Sequence, residues 1–193
     1  MTKIQNRETY LETAMIELAP LFKANNAPLP KKIKVTCGWP SKSAGRSNKR
    51  RVGECWSADA SAAHNIEIII SMVIESSFEA VEILAHELVH AADGNQNGHK
   101  GPFRKIAVAI GLEGKMTATH AGPELSKEIN RIVKKLGKYP HSAIDFSNRK
   151  KQTTRMVKVT CQAVECGMIF RTSRKWLDGL LNCPACAAPT ETD

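Results

Sequence analysis

Aromatic residues are scarce, at 5% of a 193-residue chain, and no apolar run is long. The longest, near Ile66 to Ile74 and Val81 to Ala92, are broken by Glu, Ser and His. Neither approaches the roughly 20 apolar residues that a membrane helix needs. The first eight residues, Met1-Thr2-Lys3-Ile4-Gln5-Asn6-Arg7-Glu8, lack the apolar stretch of a signal peptide. A cytoplasmic setting without a membrane partner is therefore expected. Lys and Arg are missing from residues 52–99, where eight acidic residues stand. Residues 1–51 carry 11 Lys/Arg against 3 acidic residues, and residues 100–193 carry 17 against 8. The net charge of +9 is thus a property of two basic flanks around an acidic centre. That pattern suits a polyanion that meets the flanks, although a solvated basic surface has the same composition. What remains is globular in kind, 42% hydrophobic and 24% charged, enough for one domain with a small appendage.

Periodicity divides the chain. Leu11, Met15, Leu18 and Phe22 share one face of a helix over residues 4–24, and Pro28 and Pro30 forbid its continuation. Ile33 to Cys37 alternates like a half-buried strand, Arg51 to Trp56 reads as a returning strand, and Ile66 to Ser71 is β-branched enough for a third. Between the first two lies an exposed Ser-, Gly- and Arg-rich loop. Phe78 to Asp93 has no Pro or Gly and repeats its apolar residues at three and four, so it reads as a buried helix stopped by Gly94. Further helices are expected over residues 103–110, with Pro102 in the first turn, and from Pro123 to Leu136. Residues 138–156 show little periodicity and read as a linker.

The sharpest motif is His86-Glu87-Leu88-Val89-His90. Positions four apart on a helix share a face, so both imidazoles can address one ion. Glu87, one step round, can stand beside the metal without ligating it, where a general base takes a proton from an attacking water. The plain alternative is two satisfied histidines, but a helix this apolar has little reason to bury two His and a Glu, since unpaired buried polar groups cost about 1–3 kcal/mol each. A catalytic zinc takes three protein ligands and keeps one position open. His99 can be the third, because it follows the Gly94-Asn95-Gln96-Asn97-Gly98 loop that brings the chain back. His64, His120 and His141 read as surface residues, with His120 or Tyr139 as possible neighbours of the cleft.

Six cysteines in a cytoplasmic chain suggest metal ligands or buried thiols before disulfides. Cys161 and Cys166, with four residues between them, and Cys183 and Cys186, with two, can close a tetrahedral thiolate site. A tail this short needs such a staple in place of a core. Cys37 and Cys55 stand apart. They could meet across a hairpin, but with no further ligand nearby they read as ordinary buried thiols.

Candidate nucleic-acid contacts are Lys42, Arg46, Lys49, Arg50 and Arg51 in the loop, Arg149, Lys150 and Lys151 in the linker, and Arg171, Arg174, Lys175 and Trp176 in the tail. Lys/Arg clusters bind phosphate without sequence choice and in a salt-dependent way. Trp176 can stack on bases or pack as the core of the tail.

The run from His86 to His90, then Gly98-His99-Lys100-Gly101-Pro102-Phe103, then a four-cysteine tail resembles the SprT-like (Spartan-type) zinc metallopeptidases over about residues 5–187. The stretch from Cys37-Gly38-Trp39-Pro40 to Cys55-Trp56 is most similar to members from bacteriophages and actinobacteria. The resemblance implies an α+β zincin-like domain over residues 1–140 with a small antiparallel or mixed sheet, a basic linker over 141–156 and a zinc ribbon over 157–193. It implies His86, His90 and His99 as ligands of a catalytic zinc, Glu87 as acid/base, a second, structural zinc on the four cysteines, and hydrolysis of proteins bound to DNA in a bacterial or phage-infected cytoplasm. A non-catalytic zinc-containing module that binds DNA or a polymerase is the alternative. A metal hydrolase of small molecules would leave the charge pattern without a purpose.

Overall fold

Asn6 starts the first helix by accepting a hydrogen bond from the Thr9 N–H at 2.7 Å, which satisfies one of the amides a helix start leaves open. In the computed structural model, which describes residues 6–41, 51–145, 156–177 and 182–192, the chain divides into two units, Met1–Phe146 and Ser147–Asp193. The architecture is mixed α and β, with four α-helices and three small sheets among the described residues. Among the same residues no helix is long and apolar enough to cross a membrane.

In the first unit α1 (Arg7–Ala24) buries Tyr10, Leu11, Ala14, Leu18 and Phe22. Met15 stays half-buried at the edge of that face. Pro20 lies inside the helix, where it has no N–H to give the Ile16 carbonyl, and Ile16 is exposed. The strands β1 (Ile33–Gly38), β2 (Gly53–Trp56) and β3 (Ile66–Ser71) form a sheet of order β1-β3-β2. β1 runs parallel to β3, and β2 runs antiparallel to it on its other side. The expected hairpin of the first two strands therefore does not form. Cys37 is opposite Ile70 and Cys55 is opposite Ile68, so the whole width of β3 separates the two thiols. They cannot pair, because neighbouring strands are already about 4.8 Å apart.

Helix α2 (Ser77–Ala92) is the centre of the core. Ser76 caps it, and Ala80, Val81, Leu84, Ala85, Leu88 and Val89 are buried in it. Each fully buried leucine there contributes about 1.5–3 kcal/mol of transfer free energy. α3 (Pro102–Ala109) has proline at its first turn, and α4 (Pro123–Leu136) buries Leu125, Ile129 and Ile132. Between them lies a hairpin that periodicity does not announce, β4 (Leu112–Lys115) and β5 (Ala118–Ala121).

The first unit continues past residue 140 into the stretch expected to be linker. Tyr139 is fully buried beside Tyr10, with ring centroids 5.2 Å apart, and so does not face the cleft. His141 is not a free surface residue: its Nε2 donates to the Met72 carbonyl at 2.9 Å, and its Nδ1 faces Arg7 Nη1 at 3.3 Å. The Ile144 N–H also donates to Met72, at 2.9 Å. Taken by itself, the second unit is a three-stranded sheet of order β7-β6-β8, built from β6 (Met156–Cys161), β7 (Ile169–Ser173) and β8 (Thr190–Thr192). Its buried apolar residues, among those described, are Val159, Cys161 and Cys183.

Candidate metal centre

His86 and His90 lie one turn apart on α2, and the loop after the helix returns His99 to them. Asn95 and Gly98 make that return with positive φ, 57° and 56°, and the Asn95 N–H donates to the His90 carbonyl at 2.8 Å. His99 Nε2 then stands 3.3 Å from His86 Nε2 and 3.2 Å from His90 Nε2. Nitrogens bound at about 2.0–2.1 Å around a tetrahedral zinc are about 3.3 Å apart. Three imidazoles cannot satisfy one another at this spacing, since each neutral ring has one N–H and one lone pair. The donor set and its spacing therefore fit a metal ion, with His86, His90 and His99 as the residues able to hold it. Phe103 packs against all three rings, 4.3–5.2 Å between centroids, and closes the apolar side.

Burial sets the electrostatics. It holds the imidazolium forms down, to a pKa of about 4 at His86 with His99 adding to it, and about 3 at His90 with His86, His99 and Arg51 adding to it. His99 is lowered by burial and by Arg51. All three rings thus present lone pairs at neutral pH. Glu87 moves the other way. Its side chain is buried, and loss of solvent raises its pKa to about 8, with Arg51 opposing and Glu54 assisting. A bound divalent cation nearby favours the carboxylate again.

These groups line a cavity of about 520 Å³ together with Arg51 to Cys55 from the β2 segment and Thr117 to Thr119 from the β4–β5 hairpin. Gly53 faces Glu87 so closely that a Cβ there would come within 2.6 Å of Ile83 Cγ2 and 2.9 Å of Glu87 Cγ. The register, with the Ser71 N–H donating to the Val52 carbonyl at 2.8 Å, turns the Gly53 and Cys55 backbone groups away from β3 to the outer side of β2. Asn95 Nδ2 donates to the Cys55 carbonyl at 2.8 Å on that side. The Cys55 thiol also lines the cavity, with its pKa pushed up to about 12 by burial and by Glu87.

Arg51, placed by sequence among the DNA contacts, ion-pairs with Glu54 and lines this cavity. His120 is exposed beside Glu113 and is not part of the lining. Thr119, which sequence reasoning passes over, puts Oγ1 2.8 Å from His86 Nδ1. His90 Nδ1 is buried and has no hydrogen-bond partner among the described residues.

In the second unit the four cysteine sulfurs form another group able to hold a metal ion. Cys161 Sγ is 3.5 Å from Cys186 Sγ, and Cys166 Sγ is 3.7 Å from Cys183 Sγ. Sulfurs around a tetrahedral zinc are about 3.8 Å apart. The wider gap of the first pair still closes, with the Cys166 N–H donating to the Ala163 carbonyl at 3.0 Å and Gly167 taking a φ of 61°. At Cys183 burial opposes ionisation, but the N–H groups of Ala185 and Cys186 and the sulfurs of Cys161 and Cys166 bring the thiol down to about 7.

Trp176 is 63% exposed, so it is not the core of this unit. Lys175 Nζ stands 5.2 Å from its ring centroid, and Arg171 and Arg174 are exposed. Lys42, Arg46, Lys49, Arg50, Arg149, Lys150 and Lys151 lie outside the described residues. No protein-family model matches this chain, and neither does any curated protein or solved structure.

Proposed function

We propose that the chain is a zinc-dependent endopeptidase of the SprT-like, zincin kind that acts on proteins associated with DNA. The observation that carries this reading is Glu87. A structural metal site needs only its ligands, yet a buried carboxyl stands beside the three imidazoles in the same open cavity. A zinc ion held by His86, His90 and His99 supplies Lewis acidity toward a peptide carbonyl and makes a nearby water a stronger nucleophile. Glu87 takes the proton from the attacking water and returns it to the leaving amine. Burial and the cation act on Glu87 in opposite directions, burial favouring the protonated form and a bound cation the carboxylate that accepts the proton. The Gly53 N–H and C=O, which point away from β3 and have no partner among the described residues, can pair with an extended peptide. This mode reads backbone more than side chains, so low sequence selectivity follows.

The four cysteines are the seat of a second, structural zinc. The exposed Arg171, Arg174, Lys175 and Trp176 support DNA binding, the cations at phosphates and the indole on an unpaired base.

The test is Glu87→Gln, assayed on a protein substrate held on DNA. Metal content, fold and DNA affinity should match wild type, while turnover falls about 10²–10⁴-fold, the usual contribution of a general base. Equal and absent cleavage by both proteins, with zinc measured in place, would favour a non-catalytic DNA- or polymerase-binding module.

A further inference from the structure

Among the described residues, two hydrogen bonds join the β4–β5 hairpin to α2, and one of them reaches a candidate metal ligand. The Ala121 N–H donates to Glu82 Oε1 at 2.7 Å, and Thr119 Oγ1 lies 2.8 Å from His86 Nδ1. Glu82 and His86 are four apart on the helix, and Thr119 and Ala121 are two apart on the strand. The two spans match, at about 6 Å along a helix and about 6.8 Å along a strand. At its base the hairpin is held by buried Leu112, by the Gly122 N–H donating to the Gly111 carbonyl at 2.8 Å and by the Ser126 hydroxyl donating to the Ala121 carbonyl at 3.1 Å, and Thr119 makes its contact further along. The two strands have four residues each, mostly exposed, and a two-stranded hairpin is marginal alone.

The His86 contact depends on the tautomer. With Nε2 turned to the other two imidazoles, that nitrogen offers its lone pair to an ion. The ring's one proton is then on Nδ1 and is donated to the Thr119 hydroxyl. His90 Nδ1 has no such partner. Among the described residues, Thr119 is thus the side chain that hydrogen-bonds a ligand ring from outside the centre.

We propose that Thr119 is a positioning residue for the metal, and that through it metal binding and docking of the β4–β5 hairpin are linked. The hairpin supplies Thr117 to Thr119 to the cavity lining, so loss of the ion would loosen part of the substrate cavity. By linkage, a docked hairpin must raise metal affinity by the factor by which metal favours docking. This inference rests on the metal-site reading of the three histidines and not on peptidase activity.

The experiment measures zinc affinity of the full chain by chelator competition, together with amide hydrogen exchange over residues 112–121. Thr119→Val keeps the shape and removes the hydroxyl, and Thr119→Ser restores it. The valine variant should bind zinc at the histidines about 10–100-fold more weakly, the usual effect of losing a ligand's outer partner. The serine variant should return toward wild type, and the cysteine-site zinc should be unchanged in both. Zinc should slow exchange in the hairpin of wild type and much less in Thr119→Val. A valine variant that binds as tightly as wild type, or a hairpin indifferent to zinc, overturns the coupling alone. A wild type with no ion at the histidines overturns the metal-site reading, and this inference with it.

Discussion

At the scale of single residues, Glu87 is positioned as much by an absence as by its neighbours. Gly53 has no side chain where β2 passes over α2, and the carboxyl occupies that space. In Gly53→Ala the new methyl group would meet Glu87 and the stiff, β-branched Ile83, both on α2. The cost is that of overpacking, about 1–3 kcal/mol in denaturant unfolding. The larger effect falls on the carboxyl, which must leave its place beside the histidines. Peptide cleavage should drop while zinc content stays near wild type. An alanine variant with wild-type turnover would show that the tight approach has no bearing on Glu87.

At the scale of elements, buried Glu54 joins the end of β1 to the start of β2. Its carboxylate accepts the Ser41 N–H at 2.8 Å, the Ser41 hydroxyl at 2.6 Å and the Trp56 indole N–H at 3.1 Å, and it pairs with Arg51. Burial pushes its pKa up, but the hydrogen bonds from Ser41 and the Arg51 guanidinium outweigh this and hold it below the ordinary 4.5. A carboxyl lowered by folding stabilises the fold fully above its unfolded pKa, and that contribution fades as pH falls through the folded value. Glu54→Gln puts an NH₂ group among donors. It should cost about 1–3 kcal/mol at neutral pH, measured by urea unfolding. In acid below the folded-state pKa the gap to wild type should close. A gap independent of pH would mean that Glu54 acts through shape and not charge.

At the scale of the whole molecule, the two units stand on different physics. The first has a continuous core from Tyr10 to Tyr139. The second buries few apolar residues among those described, and its four cysteine sulfurs are grouped so that an ion could do what a core cannot. Elemental analysis of the full chain should find two zinc ions. His90→Ala should lose one and leave the second unit folded. Cys183→Ser should lose the other and unfold the second unit alone, visible as loss of amide protection in β6, β7 and β8. One ion per wild-type chain would refute the two-site assignment.

Sequence alone determined whatever depends on spacing within one element or on one local turn. The α2 face that carries His86 and His90, the glycine-assisted return to His99, the cysteine pairs and the bounds of β3 and α4 all follow from the chain within a few residues. Contacts between distant elements left no such trace. β4 and β5 have short, largely exposed strands with no alternating pattern, and they take their place from contacts with other elements, among them Glu82 and His86 of α2, Ser126 of α4 and the core around Leu112. Thr119 therefore had no signal, and neither did Gly53, whose neighbour Glu87 is brought to it only when β2 packs on α2. Cys37 and Cys55 flank one loop in sequence and suggested a hairpin, but β3 entered between their strands. The choice of a strand's neighbour is made by burial of both faces of the whole sheet, and only the tertiary structure decides it.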